Sequence, residues 1–167
     1  MSISLVAVIV TTLVYAFLNG LNDSANVVAT MISSRAMSAR RALFLSTIAH
    51  LAAPFLFGVA VAEAIGRNVV RSYAITTPVI LSALGAAILW GLFTNFTGIP
   101  GSSSHALIGG MLGAACAGYG VEAVQGAGLA RILVILFLSP VVGFCAGWAI
   151  MKVVLLVGRA ASPRINQ

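Results

Sequence analysis

Apolar stretches close to the thickness of a bilayer recur along this chain, and short polar clusters separate them. A helix needs about 20 apolar residues to cross the hydrocarbon core. Ile3 to Leu18 approaches that length, then Asn19-Gly20-Leu21-Asn22-Asp23-Ser24 interrupts it before Ala25 to Ile32 resumes. Ala42 to Ile65 is a second stretch, with His50, Pro54 and Glu63 inside it. Thr77 to Phe96 is a third, and Pro78 takes a first-turn position that suits proline. The run Thr97 to His105 breaks the pattern. Ala106 to Gly118 reads as a short helix rich in glycine and alanine, Gly120 to Gly128 as a loop, and Leu129 to Val157 as the last span. The pattern predicts an all-α integral membrane protein of about five hydrophobic helical segments, a single multi-pass transmembrane domain over 1–167.

Composition strengthens that reading. Hydrophobic residues make up 60% of the chain and charged residues 7%, and the mean hydropathy is +1.10. A soluble domain carries roughly a quarter charged residues, so lipid is the expected solvent. The net charge is +6, but Arg35, Arg40, Arg41, Arg67 and Arg71 fall in polar breaks, while Arg131 opens the last span and Lys152, Arg159 and Arg164 lie near the end. Membrane-surface anchors are distributed in this way, whereas a nucleic-acid binder needs a soluble basic face. The Arg35 to Arg41 cluster is the best candidate for a cytoplasmic loop. Glu63 and Arg67 have the spacing of a helix-end ion pair. His50 reads as a hydrogen-bonded packing residue. Cys116 and Cys145 lack ligand spacing and read as small packing residues. Gly143 and Gly147 have the small-xxx-small spacing of close helix packing. The N-terminus has no basic n-region and reads as a retained membrane helix.

Candidate chemistry lies at the two polar breaks, 19–26 and 97–105. Irregular backbone inside a membrane persists only where protein or water satisfies it, and paired breaks of this kind are the sequence signature of discontinuous transporter helices. In the second break, Pro100 and Gly101 stop one helix while Ser102, Ser103 and Ser104 stand at the start of the next. Free amides, the positive end of the helix dipole and three hydroxyls favour an anion there, beyond the simple capping role of a serine. His105 is expected to orient this segment. In the first break, Asp23 is an ionisable residue among apolar neighbours, a functional-site candidate by default. A carboxylate repels an oxyanion, so Asp23 is expected to hold a coupling cation or a proton. Asn22, Asn26 and unwound carbonyls would supply further oxygen ligands.

At these two places the sequence resembles the inorganic phosphate transporter (PiT) family. The signature Gly-x-Asn-Asp-x-Ala-Asn stands here as Gly20-Leu21-Asn22-Asp23-Ser24-Ala25-Asn26, followed by Ala29-Thr30 and the basic Arg35. The second signature stands as Pro100-Gly101-Ser102-Ser103-Ser104-His105, continuing into Gly109-Gly110. The resemblance implies one half of an inverted-repeat transporter, with oxyanion and cation bound between the repeats. It carries a cation role to Asn22, Asp23 and Asn26, with Asp23 the metal ligand if the ion is sodium. It carries an anion role to Ser102, Ser103 and Ser104, and places Thr30 and His105 in support. Members of that family usually hold two repeats, and this chain has one copy of each motif. The expectation is therefore an N-terminal half, or a half-length subunit that pairs with another, in a homo-oligomer.

The function so predicted is secondary-active symport of inorganic phosphate, coupled to sodium or protons, in the plasma (inner) membrane. It involves no cofactor, no covalent chemistry and no nucleic acid. The alternatives are a permease for sulfate or another tetrahedral oxyanion, a non-transporting membrane subunit, and an intramembrane serine hydrolase. The last is disfavoured because Ser104 and His105 are adjacent on a helix and do not face each other, and because no Gly-x-Ser-x-Gly elbow occurs.

Overall fold

The computed structural model describes residues 2–57, 63 and 68–158. Five α-helices dominate them: α1 (Ile3–Ser33), α2 (Ala39–Phe57), α3 (Thr77–Thr97), α4 (Ser103–Tyr119) and α5 (Gly126–Gly158). Single 3-10 turns occupy Ser72–Ala74 and Val121–Ala123. Among the described residues, α1, α3 and α5 are long and apolar enough to cross a membrane. The remainder of the second expected span and the Glu63–Arg67 pair lie outside the described residues, save Glu63 itself, which is exposed.

The first expected break is not a break in the backbone. α1 is continuous through 19–26 for all of its 31 residues, a length of about 46 Å at 1.5 Å per residue. The reason is local. No proline lies in the segment, so every residue keeps its amide, and the polar side chains are placed without unwinding. Asn19, Asn22, Asp23, Asn26 and Thr30 recur at helical spacing and so share one face, while Ser24 Oγ donates back to the Leu21 carbonyl at 3.2 Å. Backbone carbonyls of this segment are consumed by the helix, so the unwound-carbonyl ligands expected there are not on offer.

The second break is real and narrower than expected. α3 ends at Thr97, and Gly98 follows in the left-handed region at φ 69° with its amide on the Thr94 carbonyl. A side chain there would be strained, which is why glycine closes this helix. Ser102 caps α4, its Oγ accepting from the His105 amide at 3.4 Å. The irregular backbone is therefore confined to 98–102, and Ser103, Ser104 and His105 belong to the first turn of α4.

The five-residue connection lets α4 fold back antiparallel on α3. The two helices come close at Gly110, where a Cβ would stand 2.6 Å from the Ala83 carbonyl oxygen. Ala83, Leu84, Ala87, Ile108 and Ala115 are buried in this hairpin unit. At the far end, Tyr119 packs edge-on against Tyr73. There the loops are stitched by an isolated bridge between Val70 and Val124, with Arg71 N donating to Ala123 O at 2.8 Å and Gln125 N to Val69 O at 3.0 Å. α1 packs against α3 and α2 against α1. Ala42 and Ser46 are the buried positions of α2, and His50 Nδ1–H donates to the Ser46 carbonyl at 2.8 Å.

Residues Met1–Gly126 form one compact unit and Ala127–Gln167 a second. The second consists, as far as it is described, of α5. Pro140 lies inside this helix and deprives the Leu136 carbonyl of its usual donor. Ser139 Oγ supplies the replacement at 3.1 Å, a repair suited to apolar surroundings. Cys145 is exposed on α5 rather than packed, and Cys116 is half-buried; both are free thiols. Lys152 extends over the Trp148 ring. Broad apolar faces of α1 and α5 are exposed, with Phe17, Leu13, Phe137 and Phe144 among them, as expected for surfaces that meet lipid or other helices.

Candidate functional site

The polar face of α1 meets the interhelical turn of the α3–α4 hairpin. Ser103 Oγ donates to Asp23 Oδ2 at 3.4 Å, linking residues 80 positions apart. That distance exceeds the usual O–H···O range of about 2.5–3.0 Å, so the pair is in contact without being locked. Tyr15, two turns before Asp23 on α1, donates its hydroxyl to the Ser103 carbonyl at 3.0 Å. Asn22 Nδ2 reaches the Gly91 carbonyl at 3.5 Å, and Thr94 Oγ1 donates to the same carbonyl at 3.0 Å. Thus Tyr15 ties α1 to α4 and Asn22 ties it to α3, one contact to each arm of the hairpin.

These contacts border a small cavity lined by Tyr15, Asn19, Asn22, Asp23, Thr94, Gly101, Ser102 and Ser103, together with the apolar Leu18, Ala87, Ile88, Trp90 and Ala106. It leaves about 20 Å³ for the centre of a water-sized sphere, room for a single water or bare ion. A wider space of about 190 Å³ on the same measure adjoins it, walled by Asn22, Asn26, Thr94, Asn95 and Gly98 to Gly101. Asp23 is the carboxylate of this site, since the chain's other acids are Glu63 and Glu122. The helix start at Ser102 adds the complementary sign: the amides of Ser103 and Ser104 have no intrahelical acceptor, and the dipole is positive there. His105 Nδ1 lies 2.6 Å from Ser102 Oγ, so the imidazole holds the capping hydroxyl.

Residues 19–165 match the Phosphate transporter family. The chain belongs to that family. It is 37% identical over 154 residues to a probable low-affinity inorganic phosphate transporter of Bacillus subtilis (strain 168), covering 91% of this chain and 46% of the relative. It is 40% identical over 162 residues to a protein of the same description from Streptomyces halstedii, covering 95% of this chain and 75% of the relative. Among solved structures it resembles one described as the sodium-dependent phosphate transporter, at 29% identity and a TM-score of 0.80, over 93% of this chain and 40% of that one. The chain thus spans about half the length of several curated relatives it matches, as one repeat of the family would.

Within this family member, the sequence-derived candidates fall in three places. Asn22, Asp23, Ser102 and Ser103 converge on the small cavity. Asn26 faces the wider space instead. Ser104 and Thr30 are exposed, and neither lines the small cavity or the wider one. Three residues at the site were not singled out from the sequence: Tyr15, Asn19 and Thr94. Tyr15 and Asn19 carry a readable signal, because they precede Asp23 by eight and four positions on a continuous helix and therefore share its face. Thr94 carries none; its place depends on the turn of the hairpin.

Proposed function

We propose that the chain forms one repeat of a cation-coupled symporter for inorganic phosphate. The observation that carries this reading is the contact between Asp23 and Ser103, which joins the Asn-Asp motif to the serine motif across the fold. Around it, the Asp23 carboxylate and the Asn19 and Asn22 amides offer oxygens to a cation, beside a helix start suited to an oxyanion. The names of the relatives point the same way, as do apolar helices long enough to span a bilayer.

The mechanism follows from that juxtaposition. Phosphate is received by the free amides and hydroxyls at the start of α4, where the helix dipole offsets its charge. A carboxylate alone would repel it; a cation on Asp23 removes the repulsion, so the two bind best together. Linkage then makes the coupling reciprocal: the cation raises the affinity for phosphate and phosphate raises that for the cation. Alternating exposure of the loaded site requires the second repeat, which supplies the facing wall. The protein acts in the plasma (inner) membrane as an assembly of such repeats.

Uptake of radiolabelled phosphate by cells expressing the full-length gene product, with sulfate as competitor, tests the reading. Saturable uptake that excess sulfate leaves intact is expected. Competition by sulfate at equal concentration would move the assignment to a general oxyanion permease, and indifference to both anions would reject it.

A further inference from the structure

The cavity between α1 and the hairpin contains an anomaly. Asn19 Oδ1 is buried and has no hydrogen-bond partner among the described residues. Buried acceptors in native proteins are nearly always satisfied, and an exception calls for a missing occupant or a functional cause. The atom belongs to a residue on the wall of the small cavity, four positions before Asp23 and on the same helix face. The other polar side chains of that wall include the Asp23 carboxylate and the hydroxyls of Ser102, Ser103, Thr94 and Tyr15.

We propose that Asn19 Oδ1 and the Asp23 carboxylate are joint ligands of one dehydrated monovalent cation, sodium above all, seated in this small cavity. The inference rests on the symporter reading and deepens it by naming an ion ligand that the signature motif does not contain. Three features select the occupant. Size excludes phosphate, because about 20 Å³ admits only a water-sized guest. Donor chemistry favours a hard cation: the orphan atom is an amide oxygen, the neighbouring acid offers only acceptors, and carbonyl and carboxylate oxygens suit such ions. Charge favours a monovalent one, since a single carboxylate neutralises a single positive charge. Among the described residues, no group of three or more His, Cys, Asp or Glu side chains offers a transition-metal site. The cation's ligands on α1 and the anion's donors at the start of α4 would then meet at the Asp23–Ser103 contact.

The test is a sodium titration of phosphate uptake by the full-length gene product, normalised to protein in the membrane. It is paired with thermal melting of the purified protein in sodium chloride against choline chloride. For Asn19→Leu, which removes the oxygen at similar volume, the half-saturating sodium concentration should rise by about tenfold or more, a loss of one strong ligand. Half-saturating phosphate at saturating sodium should stay within about twofold, and the stabilisation by sodium should shrink. Asn19→Asp presents an oxygen whichever way the amide is turned, and should retain sodium dependence. If Asn19→Leu keeps the wild-type sodium response, or melts higher while keeping it, Asn19 is only an uncomfortable buried amide and the proposal fails. Uptake driven by protons with no sodium response also overturns it, while leaving the symporter reading in place. If Asp23→Asn changes nothing, the symporter reading itself fails.

Discussion

The polar segment at 19–26 and the one at 98–102 lie on the same site, yet their backbones do opposite things. The first remains α-helical throughout and delivers its chemistry through side chains on one face. The second leaves the helix for five residues and delivers backbone amides together with hydroxyls. The difference lies in a few residues. Gly98 takes a left-handed conformation and Pro100 has no amide to give, whereas 19–26 contains a glycine at an ordinary helical position and no proline. Polarity alone does not unwind a helix; a missing donor or a left-handed residue does. The division suits two ligands of opposite sign. A helix face can offer oxygen acceptors, while only a helix start offers free N–H donors.

Five substitutions would break or sharpen this contrast. The largest effect is expected from Asp23→Asn, which keeps the shape of the helix face and removes its charge. Phosphate uptake should fall by on the order of 100-fold with the protein still in the membrane, an interaction of roughly 3 kcal/mol. A variant that transports normally would return the chain to the class of non-transporting subunits.

Ser24→Pro comes next. In a continuous helix it deletes one hydrogen bond and clashes with the Gly20 carbonyl, at a cost of about 3 kcal/mol. Unfolding in detergent would register it as a clear drop in midpoint. Wild-type stability in that variant would mean the segment unwinds in the working protein.

The paired glycines separate the two regions by sign. Gly98→Ala should destabilise by about 1–2 kcal/mol, since its backbone is left-handed. Gly20→Ala meets nothing within 4 Å and should stabilise by up to about 1 kcal/mol as a helix-interior replacement. Equal signs in melting experiments would erase the distinction drawn between the segments.

The smallest effect belongs to Ser102→Ala, which removes the N-cap and the partner of His105. A loss of about 1 kcal/mol of stability is expected. Half-saturating phosphate should rise while half-saturating sodium changes less, because the start of α4 is assigned to the anion.

Much of this molecule was legible before any fold was known. The helical segments, the family motifs and the helix stop at Pro100-Gly101 are written in local composition, because lipid as solvent leaves the chain few alternatives to helices. The limits of the third, fourth and fifth segments shifted by only a few residues: α4 begins at Ser103 rather than Ala106, since capping draws the serines into its first turn. Expecting a break at 19–26 went astray because it read polarity where helical periodicity was the governing signal.

Left to the chain alone were the choice of helix, the length of each helix and the chemistry available to the site. Tertiary structure decided which of those groups meet. Ser103 rather than Ser104 touches Asp23, because the close approach at Gly110 and the turn at Gly98 set the register between hairpin and α1. The same packing buries the Asn19 oxygen in the wall of the small cavity. Local propensity contains neither fact, for a contact across 80 residues depends on the volumes of side chains that no neighbour in sequence specifies.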